Sequence, residues 1–104
     1  MDIVVGHGPG AVNGQQLTVK YVGVTYADGK EFDSSWSRGA SSTFPFPLGG
    51  HQVISGWDLG MVGAKVGGRR ELVIPAPLGY GEQGTQGIPP NAALVFVVDV
   101  VNIA

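Results

Sequence analysis

The chain has 104 residues with 43% hydrophobic content, a formal charge of −2 and no cysteine. That length suits one compact domain over residues 1–104, burying roughly two-thirds of its unfolded surface. A pI near 5.4, with Arg69-Arg70 as the one adjacent basic pair, leaves no footprint for a phosphate backbone, and the missing thiols exclude disulfides, cysteine nucleophiles and thiolate metal sites.

The opening MDIVVGHGPG has too short an apolar run for a signal peptide, and nowhere do ~18 apolar residues run together. The expectation is a soluble, cytoplasmic monomer that binds neither nucleic acid nor membrane. Residues 2–5 read as a short edge strand and GHGPGAVNGQQ as a turn-rich connection. Leu17, Val19 and Tyr21 alternate with Thr18, Lys20 and Val22, which predicts a half-buried strand to about Tyr26 with the first set facing inward. ADG supplies turn chemistry, with Gly29 free to take positive φ, and KEFDSS returns as the second arm of a hairpin carrying Phe32 and Asp33. SRGASS reads as a loop. TFPFPLG sets Phe44 and Phe46 on one side, but its prolines cannot donate to a ladder, so it reads as an edge segment.

The one expected helix runs roughly from Ser55 to Lys65, with Trp57 and Met61 on one face. Gly60 and Gly63 each weaken it by ~1 kcal/mol relative to Ala, so packing on a sheet must hold it. RRELVIPA and ALVFVVDVV are the clearest strands, with Leu72 and Ile74 inward in the first and Leu94, Phe96, Val98 and Val100 in the second. Strands before and after a single helix, without βαβ alternation, predict an α+β fold: an antiparallel sheet curled over one amphipathic helix, with Trp57 beneath the concave face.

GHGPGA superficially matches a glycine-rich phosphate loop, but VNGQQ follows where a helix should begin, so it reads as a turn. His7 and His51 lack any metal-site spacing and read as surface residues. Phe46 reads as core. Tyr21, Phe32, Phe44, Trp57, Tyr80 and Phe96 together exceed what one small core needs, and the two tyrosine hydroxyls require partners when buried; a concave apolar pocket with a few polar groups at its rim accounts for them better. Asp33, beside Phe32 and five residues before Arg38, reads as half of a partly buried ion pair that orients Tyr21 or another pocket wall.

The ordered segments VKYVG, ADGKEFDSS, FPFPLG, QVISGWDLG, VGGRRELVIPAPLGYG and IPPNAALVFVVDVV resemble the FKBP-type peptidyl-prolyl cis-trans isomerases, from about Gly6 to Ile103. The resemblance implies a twisted antiparallel β-sheet of five or six strands wrapped around one short α-helix. It implies an enzyme that isomerises Xaa-Pro bonds of protein segments without cofactor or metal, assists folding, and binds the macrolides tacrolimus and rapamycin. Carried over position by position, it gives catalytic roles to Tyr21, Asp33, Ile54, Trp57, Tyr80 and Phe96, and substrate binding to Phe32, Arg38, Phe44, Val53 and Ile88. Trp57 is then the floor and Tyr21, Phe44 and Phe96 are walls, with the Ile54 N–H and the Tyr80 hydroxyl bonding the carbonyls of the bound peptide. The chain departs from the family pattern in EQGTQGIPP, one residue shorter than in many members, and in a longer loop between Arg38 and Phe44. No large insertion separates Ile74 from Ala92, so no added chaperone domain is expected there. The same pocket also admits an alternative: a non-catalytic proline-peptide binding module or chaperone.

Overall fold

The computed structural model describes residues 1–85 and 87–104. Its strands are β1 (Asp2–Val4), β2 (Gln16–Thr25), β3 (Glu31–Ser34), β4 (Phe44–Pro47), β5 (Arg69–Ile74) and β6 (Leu94–Ile103), with one α-helix, α1 (Ser55–Gly60), and short 3-10 turns at Ser35–Arg38 and Ala76–Leu78. All strand pairs are antiparallel, in the order β1-β5-β6-β2-β3, and β4 pairs with the first half of β2. The α+β architecture expected from the sequence is present.

The two long strands carry the pattern that builds the core. Along β2, Leu17, Val19 and Tyr21 are buried while the residues between them are half-exposed, and along β6 the same holds for Leu94, Phe96, Val98 and Val100. The register sets Val19 opposite Val100 and Tyr21 opposite Val98, so both apolar rows lie on one face. A bulge between Thr18 and Val19 absorbs Val101 and keeps that alignment. Leu72 and Ile74 of β5 extend the buried face.

The hairpin forms where ADG was read: Gly29 has φ of 68°, and the Thr25 N–H bonds the Lys30 carbonyl at 2.9 Å. β4 lies on the edge of β2, and Phe44 and Phe46 stack at 6.0 Å. His7 and His51 are exposed.

The helix is shorter than expected. It ends at Gly60, not Lys65, because Met61 closes the last turn and Gly63 takes φ of +84°. Met61 is nonetheless fully buried with Trp57. SRGASS is also not simply a loop, since its first residues belong to the turn Ser35–Arg38, capped by the Ser34 side chain accepting the Trp36 N–H at 3.1 Å. Six residues cannot sustain a helix alone. Gly56 and Gly60 let this one lie directly on Ile74 and Leu72, and Arg70 of β5 donates to the Gly60 and Val62 carbonyls at 2.8 Å each. The same guanidinium holds Asp2 of β1 at 2.7 Å, tying helix end, sheet and edge strand together.

Candidate active site

Tyr21 leaves β2 on the buried face, and its backbone is fixed from two directions. Strand pairing with β6 holds one side, and its N–H donates to the buried Ser35 Oγ at 2.9 Å. That second bond draws the turn Ser35–Arg38 over the ring, so the Arg38 guanidinium lies 6.0 Å from the Tyr21 centroid. The Tyr21 hydroxyl donates to Asp33 Oδ2 at 2.5 Å and accepts from Arg38 Nη2 at 3.2 Å, while Arg38 Nη1 reaches Asp33 Oδ1 at 3.3 Å. The pair does orient Tyr21, but its side chains are 49% and 44% exposed, more open than the partly buried pair expected.

Trp57 stands at the centre. Tyr21, Phe44 and Phe96 meet it nearly perpendicular, at 86°, 83° and 89°, with centroids 5.2, 6.0 and 5.3 Å away. Phe46 supports it from the core at 5.3 Å. Edge-to-face pairs of this kind add ~0.5–1.5 kcal/mol each beyond area burial. The Trp57 Nε1 is buried and has no hydrogen-bond partner among the described residues.

These rings surround a cavity of about 220 Å³ lined by Tyr21, Phe32, Asp33, Phe44, Gln52, Val53, Ile54, Trp57, Tyr80 and Phe96. Nine of the eleven expected residues therefore line one space. Arg38 sits at its rim through Tyr21 and Asp33. Ile88 does not line it; it is 6% exposed and packs with the core cluster, held by paired backbone bonds to Thr85. The shortened segment Glu82–Pro90 includes Gln86, which lies outside the described residues. A larger, open groove of about 440 Å³ runs between β1, β5 and α1, and none of the described residues that line it is aromatic.

Gln52 was not foreseen: a surface amide carries no periodic or compositional signal. Gly23 did carry one, an isolated glycine in a strand pattern. A Cβ there would stand 2.7 Å from both Phe32 Cζ and Phe96 Cε1, so its absence makes room for that perpendicular ring pair.

Both pocket phenols stay neutral at ordinary pH. Burial, then the hydrogen bond to Asp33, pushes Tyr21 above the usual tyrosine value of 10.0, against the opposing pull of Arg38. Burial, then the Asp33 charge, raises Tyr80. The Tyr80 hydroxyl, which bonds no other described residue, is thus a protonated donor facing the cavity. The Ile54 N–H is likewise uncommitted among the described residues, while the Ile54 carbonyl caps α1 by accepting from Trp57 N–H at 2.9 Å.

Sheet, short helix and aromatic pocket define a small α+β protein with a cavity walled by aromatic rings. A family model described as FKBP-type peptidyl-prolyl cis-trans isomerase matches residues 8–101, and the chain belongs to that enzyme family. It is 54% identical over 104 residues to the FK506-binding protein of Streptomyces anulatus, covering 98% of this chain and 82% of that one. It is 42% identical over 102 residues to a peptidyl-prolyl cis-trans isomerase of Saccharomyces cerevisiae, where it covers 98% of this chain but 24% of the relative. Among solved structures, AtFKBP13 superposes with a TM-score of 0.90 at 39% identity, covering 100% of this chain and 90% of that one. FkpA from Escherichia coli gives 0.88 at 41%, covering 99% and 46%.

Proposed function

We propose that this chain catalyses cis-trans rotation about Xaa-Pro bonds of protein segments by non-covalent binding in the aromatic pocket, and that tacrolimus (FK506) and rapamycin compete for the same space. The observation that carries the reading is the convergence of Tyr21, Phe44, Trp57 and Phe96 on one cavity whose edge offers two donors unpaired among the described residues, the Ile54 N–H and the Tyr80 hydroxyl. The name of the Streptomyces relative supports the drug expectation.

The barrier to rotation is ~18–20 kcal/mol because resonance keeps the amide planar, and that resonance separates charge. Twisting the bond diminishes the separation. An apolar, water-poor pocket therefore disfavours the planar ground state more than the twisted transition state. Ile54 N–H and Tyr80 hold the flanking carbonyls while the proline ring sits over Trp57, so the chain twists about one bond only. Asp33 acts through its field and its grip on Tyr21, and no proton is transferred. A cysteine-free domain acting as a monomer in the cytoplasm completes the proposal.

The test is an exchange assay on proline tetrapeptides that differ in the residue before proline. Catalysis of their cis-to-trans conversion is expected, with a preference that reports on the rim. A folded protein that binds these peptides without accelerating the exchange would instead be a binding module.

A further inference from the structure

We propose that Asp58 is a positioning residue for this pocket: its buried carboxylate fixes the path of the loop that presents the Ile54 N–H and the Gln52–Val53 wall. The inference rests on the isomerase reading of the pocket. Asp58 follows the floor residue Trp57 on α1 and is only 8% exposed. Its Oδ1 accepts the Gly49 N–H at 2.9 Å and its Oδ2 accepts the His51 N–H at 3.0 Å. Both donors are left-handed, with φ of 78° and 57°, and His51 has no glycine's freedom there. A side chain in that region persists only where its surroundings over-determine it, and the carboxylate is what grips it.

The rest of the loop makes the dependence specific. Between the two donors, the Gly50 N–H bonds the Pro47 carbonyl at 3.2 Å. After His51, the N–H groups of Gln52, Val53 and Ile54 donate to no described residue, so the pocket wall has no ladder of its own. Its course is set from its two ends, and Asp58 is present at both. The carboxylate holds 49 and 51, while the Asp58 N–H donates to the Ile54 carbonyl at 3.4 Å. Shifting a positioning group by about 1 Å can cost on the order of 100-fold in rate.

The experiment compares Asp58→Asn, Asp58→Ala and Asp58→Glu in the tetrapeptide exchange assay, with amide signals and hydrogen exchange followed across residues 49–54. Asn keeps shape but offers one acceptor for two donors, so kcat/KM per folded molecule is expected to fall by about ten-fold or more. The Gly49 and His51 amides should exchange faster and the Ile54 amide signal should move. Glu, which retains both acceptor oxygens, should recover most of the loss. A role in stability alone would lower the melting point and leave kcat/KM per folded molecule unchanged, and that result overturns the proposal. So does a folded Asn variant whose 49–54 amides match the wild type. If Ala does not fold, Asn decides. If the wild type itself fails to catalyse, the isomerase reading falls, and the amide comparison still decides whether Asp58 sets the loop.

Discussion

Gly23 and Tyr21 sit two apart on the buried face of β2, and the pocket depends on each for an opposite reason. At Gly23 the requirement is absence. Gly23→Ala brings a methyl to 2.7 Å from Phe32 Cζ and Phe96 Cε1, inside contact distance, so the two walls must separate. Overpacking of this kind costs ~1–3 kcal/mol, and the folded variant should lose more in kcat/KM than in melting temperature. Unchanged catalysis would show that the walls need no fixed spacing. At Tyr21 the requirement is a neutral hydroxyl. Its pKa is raised on folding, by burial first and then by Asp33, so the stability this contributes is fully present below about pH 10 and is lost as pH climbs through the folded value. Denaturation midpoints of the wild type should therefore fall more steeply above pH 10 than those of Tyr21→Phe. Parallel slopes would contradict the hydroxyl's placement. The exposed Asp33–Arg38 contact is a weak brace, worth ~1 kcal/mol or less, and matters through Tyr21.

Among the elements, α1 reverses the ordinary rule for glycine. In an exposed helix Gly→Ala gains ~1 kcal/mol, but a Cβ at Gly56 would lie 2.6 Å from Ile74 Cγ2 and 2.7 Å from Cδ1 in the packed core. Gly56→Ala should thus destabilise by ~1–3 kcal/mol in urea titrations and tilt Trp57 away from the sheet; a gain in stability would mean that the helix does not rest on β5 at that point. This close seat also explains what the sequence disclosed and what it hid. Strands were legible because alternation is local: Leu17 to Tyr21 and Leu94 to Val100 show their buried face in one dimension. The spacing of the sequence extends the helix to Lys65 because Met61 keeps helical spacing from Trp57 although the backbone has already turned. The turn Ser35–Arg38 leaves no mark in the sequence because hydroxyl-to-backbone bonds such as Ser34 to Trp36 have no period. For the site, family resemblance supplied residue types that nearly all meet in space, with Ile88 placed in the core instead. Asp58 stayed hidden because an acid on a short helix looks solvated until its two backbone donors are seen.

At the scale of the molecule, the pocket has no local existence. Its floor comes from α1, its walls from β2, β3, β4 and β6, and its donors from the loop before α1 and the segment after β5, so it assembles only when the whole sheet closes. Catalysis and folding should be lost together in denaturant. The proposed mechanism asks for neither metal nor proton transfer. The most direct test is kcat/KM for Xaa-Pro exchange measured from about pH 5 to 8, where a catalytic histidine would titrate, with and without tacrolimus. The expected result is catalysis that varies little across that range and is competitively abolished by the drug. A bell-shaped profile from folded protein, or no acceleration at any pH, would contradict the account.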